Sequence, residues 1–159
     1  MKKNIFLKII TIIAILLDQA IKIVIKSKLF NCSTVLIPHI LNLTYIQNTG
    51  AAFGIGSNST SMFIAVNVVI IGLIAYFIFS KGEELSKLIL IALHLVLAGG
   101  ISNLIDRIVR GFVIDYIDIS PLIKYPVFNL ADIFVVVGCI IIAISLIKDT
   151  VIKKKNIGE

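Results

Sequence analysis

Acidic residues are scarce in this sequence, nine Asp and Glu against fifteen Lys and Arg, for a formal charge of +6. Cysteine and histidine are scarcer still, at two each. Cys32 and Cys139 are too few for a disulfide framework and lack the spacing of zinc ligands; Cys139 also falls inside an apolar run. His39 and His94 are far apart in sequence and suggest no shared metal site, so no metal or other cofactor is expected. No His-Glu-x-x-His occurs and no histidine neighbours a nucleophile, which leaves serine, cysteine and metallo mechanisms without support. The basic charge brings neither a basic stripe nor stacking aromatics. Its cations cluster near the two ends beside apolar segments, which points to membrane lipids as partners and away from nucleic acid. Internal repeats and low-complexity segments are absent as well.

Apolar residues are what the sequence has in excess: 58% hydrophobic, with a mean hydropathy of +1.07. Soluble domains sit near 45–50% apolar, and the surplus needs lipid to cover it. At 159 residues the length suits a single domain, here an integral membrane one over 1–159. Four apolar stretches, at approximately 8–25, 62–79, 87–104 and 131–147, come close to the roughly 20 residues that cross a hydrocarbon core of about 30 Å. The expectation is an all-α membrane protein of four transmembrane helices. The first stretch imitates a secretory signal peptide, Met1-Lys-Lys-Asn leading into Ile5 to Leu17. No small-x-small cleavage site follows it, the apolar pattern continues past Asp18 to Ile25, and Cys32 follows Phe30-Asn31 where a lipoprotein signal needs a small residue, so it is read as a retained helix. Between 28 and 60, Leu41-Asn-Leu-Thr-Tyr-Ile-Gln-Asn alternates with period two and then breaks at Gly50, Gly54 and Gly56, the pattern of a small extracytoplasmic sheet or hairpin. The polar turn Ser80-Lys-Gly-Glu-Glu-Leu-Ser makes the second and third helices antiparallel neighbours.

With four spans, both termini share a side with the 80–87 turn. That side carries nine Lys and Arg (Lys2, Lys3, Lys8, Lys81, Lys87, Lys148, Lys153, Lys154 and Lys155) against six on the other. The excess of positive charge places the termini in the cytoplasm, and the segments 28–60 and 105–130 on the outer face.

Ionisable side chains at membrane depth are costly, so each one raises a functional question. In Asp18-Gln-Ala-Ile-Lys22, the i,i+4 spacing puts both charges on one helix face, either as a structural ion pair or in a direct role. In Asn48-Thr-Gly-Ala-Ala-Phe-Gly54, small residues make a turn or let the backbone approach a ligand, with the Asn amide free to bond a carbonyl. Asn103 and Arg107 are again i,i+4, where the third helix ends; Asp106 and Arg107 read as an interfacial charge patch or as part of a site. Asp115 lies between Phe-Val-Ile and Tyr-Ile, surroundings that raise a carboxyl pKa by desolvation. Asp118 is assigned to the solvated loop beyond it, and His94 to an interhelical hydrogen bond. Asn129 and Asp132 at the start of the fourth helix form an ordinary cap with an acidic third position. Equally, a helix N-terminus favours an ionised Asp132, and two carboxyls in opposed environments suit a dyad that shares a proton.

Taken together, Asp18-Gln-x-x-Lys22, Asn48-Thr-Gly-Ala-Ala-Phe, Gly-Gly-x-x-Asn103-Leu-Ile-Asp-Arg, Gly111-x-Val-x-Asp115 and Phe128-Asn-x-Ala-Asp132 resemble the bacterial lipoprotein signal peptidases, the signal peptidase II family. The resemblance covers residues 18–132 and agrees in order, spacing and placement against the apolar spans. It implies an aspartic endopeptidase of the bacterial cytoplasmic membrane that removes signal peptides from prolipoproteins just before a diacylglyceryl-modified cysteine. Asp115 and Asp132 would be the catalytic dyad. Asp18, Lys22, Asn48, Gly50, Asn103, Asp106, Arg107 and Asn129 would bind substrate or shape the site, and globomycin-type cyclic peptides would inhibit. Ser102, where the family commonly has glycine, puts a hydroxymethyl group at a helix contact. Two other classes stay open on the residues alone. One is a small proton- or ion-coupled transporter using Asp18, Lys22, Asp115 and Asp132, although broken helices and repeats are lacking. The other is a non-catalytic assembly factor whose aspartates are caps and ion pairs.

Overall fold

The computed structural model describes residues 2–50 and 60–157. Four helices and a small sheet follow in the order α1 (Lys2–Leu29), β1 (Ser33–Ile37), β2 (Leu41–Asn48), α2 (Thr60–Lys81), α3 (Lys87–Arg110), β3 (Val113–Asp118) and α4 (Leu130–Ile157). Gly54, Gly56 and the Ala51–Phe53 part of the glycine motif lie outside the described residues. Among the described residues three helices are long and apolar enough to cross a membrane: Thr60–Lys81, Lys87–Arg110 and, within α4, Leu130–Lys148. α2 is the least buried of these, leaving Leu73, Tyr76 and Phe79 exposed, as a helix that meets lipid does.

α3 is the hub and packs against each of the other three helices, most extensively α4. Gly99 and Gly138 permit that approach: a Cβ at Gly99 would collide with the Ala131 carbonyl and Val135, and one at Gly138 with the Ala92 carbonyl and Val96. α3 also runs on to Arg110, past the predicted end at 104, so Asp106 and Arg107 are helical residues, not part of the loop. Ser86 caps its start by accepting the Ile89 N–H, and Gly111, at φ 81°, ends it in the left-handed conformation that glycine adopts without a Cβ penalty.

At one end, Leu7, Ile78, Leu90 and Leu93 form a small apolar core across α1, α2 and α3. Nearby, Thr11 Oγ1 lies 2.9 Å from His94 Nδ1 and donates its own proton to Leu7 O. The ring therefore donates from Nδ1, giving the expected interhelical bond; Nε2 is buried without a partner among the described residues. At the other end, Ile25, Tyr45, Ile114 and Tyr116 join α1 to the sheet.

The sheet has the order β1-β2-β3, antiparallel throughout, with Val35 opposite Asn42 and Ile46 opposite Asp115. Its first two strands form the hairpin the alternation predicts, turning through His39 at φ 62°. The third comes from the 105–130 segment, and the chain returns along it: Tyr116 and Ile117 both donate to Phe128 O, and Phe128 donates to Ile117 O. Asp118 is thus not a solvated loop residue. It is buried at the end of β3, where it accepts from Ser120 N at 2.9 Å and Thr44 Oγ1 at 3.4 Å.

Candidate active site

The first layer of the site is a buried ion cluster between α1 and α3. Asp18, Lys22 and Asp106 are each fully buried. Lys22 Nζ lies 2.8 Å from Asp18 Oδ2 and 3.0 Å from Asp106 Oδ2, and donates to Asn103 Oδ1 at 2.9 Å. Three acceptors therefore meet three ammonium protons, the condition under which a lysine is tolerated away from water. The carboxylates are saturated in turn. Asp18 accepts from Ser102 Oγ at 2.6 Å and from Ala131 N at 3.1 Å. Asp106 accepts from Gln19 Nε2, Ile114 N and Arg110. Helix α1 is thereby tied to α3, to the start of α4 and to β3 at once. Asp18 and Lys22 have a structural role beyond their own i,i+4 pairing, because Asp106 completes the cluster.

The second layer grows from that cluster toward a cavity. With its carbonyl oxygen held by Lys22, Asn103 turns its amide nitrogen to Asp132 Oδ1, 2.8 Å away. Asn129 and Asp132 form a reciprocal cap at the start of α4: Asp132 N donates to Asn129 Oδ1 and Asn129 N to Asp132 Oδ2, both at 3.0 Å. The cap reading of this motif holds, and the cap itself fixes the rotamer that leaves Oδ1 to Asn103. Asn129 Nδ2 then donates to Asp115 Oδ1 at 2.6 Å, and Asn48 Nδ2 to Asp115 Oδ2 at 2.8 Å. Asn48 stands diagonally across the β2–β3 ladder from Asp115, its own partner being Val113. Asn48 Oδ1 accepts the Gly50 N–H at 2.9 Å, and Gly50 O accepts from Arg107 at 3.2 Å. Arg107 also reaches Asn103 O and lies 5.5 Å from the Phe63 ring centroid, a cation–π contact.

Asp115 and Asp132 line one cavity of about 350 Å³ together with Asn48, Gly50, Asn67, Asn103 and Arg107. A larger groove of about 910 Å³ lies along α1 and the start of α3, remote from both carboxylates. Burial pushes the Asp115 carboxyl up to about 7; the Asp132 charge adds to the rise, and the bonds from Asn48 and Asn129 oppose it. A carboxyl with that pKa is protonated in a substantial fraction of molecules near neutrality, beside a second carboxyl joined to it through Asn129.

Every predicted site residue enters this network. Sequence reasoning missed Gln19, which bridges Ser102 and Asp106, and Arg110, which pairs with Asp106 one helical turn back. The i,i+4 spacing of Asp106 and Arg110 was a signal for the latter. It also missed Ser102's contribution to Asp18 and the Tyr116 hydroxyl that accepts the Leu130 N–H at 3.3 Å.

The architecture is that of known bacterial membrane enzymes. Two solved structures, each described as a bacterial membrane enzyme determined by the in meso method, superimpose with TM-scores of 0.84 and 0.81. The first is 34% identical and covers 91% of this chain and 89% of its own; the second is 33% identical and covers 91% and 94%. A family model described as signal peptidase (SPase) II matches residues 10–148. Lipoprotein signal peptidases of Staphylococcus aureus, among them strains JH9 and Newman, are 36% identical over 150 residues, covering 93% of this chain and 91% of theirs. The chain belongs to the signal peptidase II family. It is a peptidase and a multi-pass bacterial membrane protein, and the transporter reading finds no support.

Proposed function

We infer that the chain removes signal peptides from prolipoproteins, cutting on the N-terminal side of a diacylglyceryl-modified cysteine by an aspartic mechanism at Asp115 and Asp132. The observation that carries this reading is the pair of carboxyls on one cavity, coupled through Asn129. Asp115, whose pKa burial raises to about 7, holds the proton at rest and polarises the scissile carbonyl. Asp132, with each oxygen accepting an N–H, takes a proton from the attacking water. In the second step the proton on Asp132 passes to the leaving nitrogen as the C–N bond breaks, and Asp115 recovers its own. Asn48, Asn103 and Asn129 hold the dyad in place, and Arg107 and Gly50 shape the substrate side of the cavity. Asp18, Lys22 and Asp106 anchor Asn103.

Residues 1–159 act as one membrane-embedded domain of four spans. Although α1 carries Asp18 and Lys22, both point inward, while Ile12, Ile13, Leu16, Leu17, Ile23 and Val24 are exposed and offer lipid an apolar face. It also lies beside α3 along its length, from Thr11–His94 to Lys22–Asp106. The charge count supports an orientation with both termini in the cytoplasm and the dyad near the outer face, where the lipidated cysteine resides.

The test is a gel-shift cleavage assay with purified protein and a diacylglyceryl-modified prolipoprotein, run for wild type, Asp115→Asn and Asp132→Asn, with and without globomycin. Cleavage that globomycin blocks and both variants lose, with substrate still bound, is the expected result. Cleavage surviving in either variant would return that aspartate to a structural role.

A further inference from the structure

One amide side chain of the cavity has no part in the dyad network. Between Met62 and Phe79, α2 consists of apolar side chains, a glycine and a tyrosine, with Asn67 as its single amide. Asn67 is half-buried and lines the cavity together with Gly100, Val135, Val136 and the two carboxyls. It makes no hydrogen bond among the described residues. A primary amide without a partner is costly at membrane depth, and it faces the cavity instead of another helix.

The substrate has the complementary need. On the reading above, on which this inference rests, the peptide must present its scissile carbonyl to Asp115 and Asp132 in an extended conformation. The residues just before that bond lie deeper in the membrane, where leaving the helix strips backbone N–H and C=O groups of their partners in a medium that supplies none. An asparagine amide offers one donor face and one acceptor face, the complement of a single peptide unit. Asn67, seven residues into α2, and Asp132, at the start of α4, line the same cavity as Asp115, so a peptide held at the carboxyls passes within the space that the Asn67 amide also lines. We propose that Asn67 is a substrate-binding residue that pairs with the backbone of the unwound signal-peptide segment, at one of the last three amides before the cleaved bond. Because it reads backbone, it holds the segment without selecting its side chains.

The test couples enzyme and substrate changes. Wild type, Asn67→Leu and Asp115→Asn are assayed on a diacylglyceryl-cysteine prolipoprotein peptide and on three analogues, each with one of the last three amides before the scissile bond replaced by an ester. Asn67→Leu is expected to lower kcat/KM about 10- to 100-fold while keeping the wild-type Tm, since an apolar residue suits α2. One ester analogue should cost wild type a comparable factor and cost Asn67→Leu little more, because both changes remove the same bond. Wild-type activity in Asn67→Leu would overturn the proposal, and so would losses that multiply independently for all three analogues. Failure of wild type itself to cut the lipidated peptide would instead remove the peptidase reading beneath it.

Discussion

Replacing Lys22 by Met probes how the ion cluster supports the dyad. The substitution preserves the side chain's volume and apolar stem while deleting the ammonium that meets Asp18, Asp106 and Asn103 at 2.8, 3.0 and 2.9 Å. Arg110 still compensates Asp106, but Asp18 is left as a fully buried carboxylate with only Ser102 and the Ala131 N–H. Breaking a buried pair by removing one partner costs about 3–5 kcal/mol. Against a folding free energy of about 5–15 kcal/mol, that is a large fraction, and thermal unfolding in detergent should show a marked fall in Tm. Adding Asp18→Asn neutralises the stranded charge and should restore most of the Tm. Activity should not return with it. In the double variant Asn103 still lacks the bond that orients its amide toward Asp132, and a hydrogen bond to a charged group is worth about 1.5–3 kcal/mol. Cleavage should therefore stay about 10- to 100-fold below wild type at a near-normal Tm. An unchanged Tm in Lys22→Met would refute the buried-cluster account. Full activity in the stabilised double variant would refute the link from Lys22 through Asn103 to Asp132.

Four further outcomes are expected. Cleavage should decline as pH rises through about 7, because Asp115 loses the proton it contributes to the dyad. In the unfolded chain its carboxyl ionises near 3.8, so stability falls between there and about 7, and Asp115→Asn should unfold at a higher temperature than wild type above pH 7 while remaining inactive. Asn48→Ala removes a bond that lowers the Asp115 pKa, so in a pH–rate profile the alkaline limb should move upward. Gly99→Val drives a side chain into the Ala131 carbonyl and Val135, and should lower the Tm in proportion to about 1–3 kcal/mol of overpacking; displacing the start of α4 should reduce cleavage with it.

The apolar periods and five short polar motifs were enough to read off the helices, the hairpin and every residue of the dyad network that was predicted. Local patterns carry such information because a membrane admits few backbone solutions and tolerates ionisable groups only where they are satisfied. Asp115 could be assigned a raised pKa from its neighbours alone, since Phe112, Val113, Ile114, Tyr116 and Ile117 already describe its desolvation. Local patterns do not report which motif meets which. That Asp106 shares Lys22 with Asp18, that Asn103 faces Asp132 and that Phe128 zips onto β3 are contacts between segments far apart in the chain. The end of α3 was placed too early for the same reason: Asp106, Arg107 and Arg110 read as a polar terminus until their partners on α1, β3 and Gly50 are in place to satisfy them. Asn67, isolated in an apolar run, was visible as a residue but not as a cavity wall, because its surroundings come from α3 and α4. Sequence alone determined which groups can bear charge in this membrane protein. The packing of α3 against its three neighbours decided which of those charges are neutralised as scaffold and which two carboxyls are left facing an open cavity.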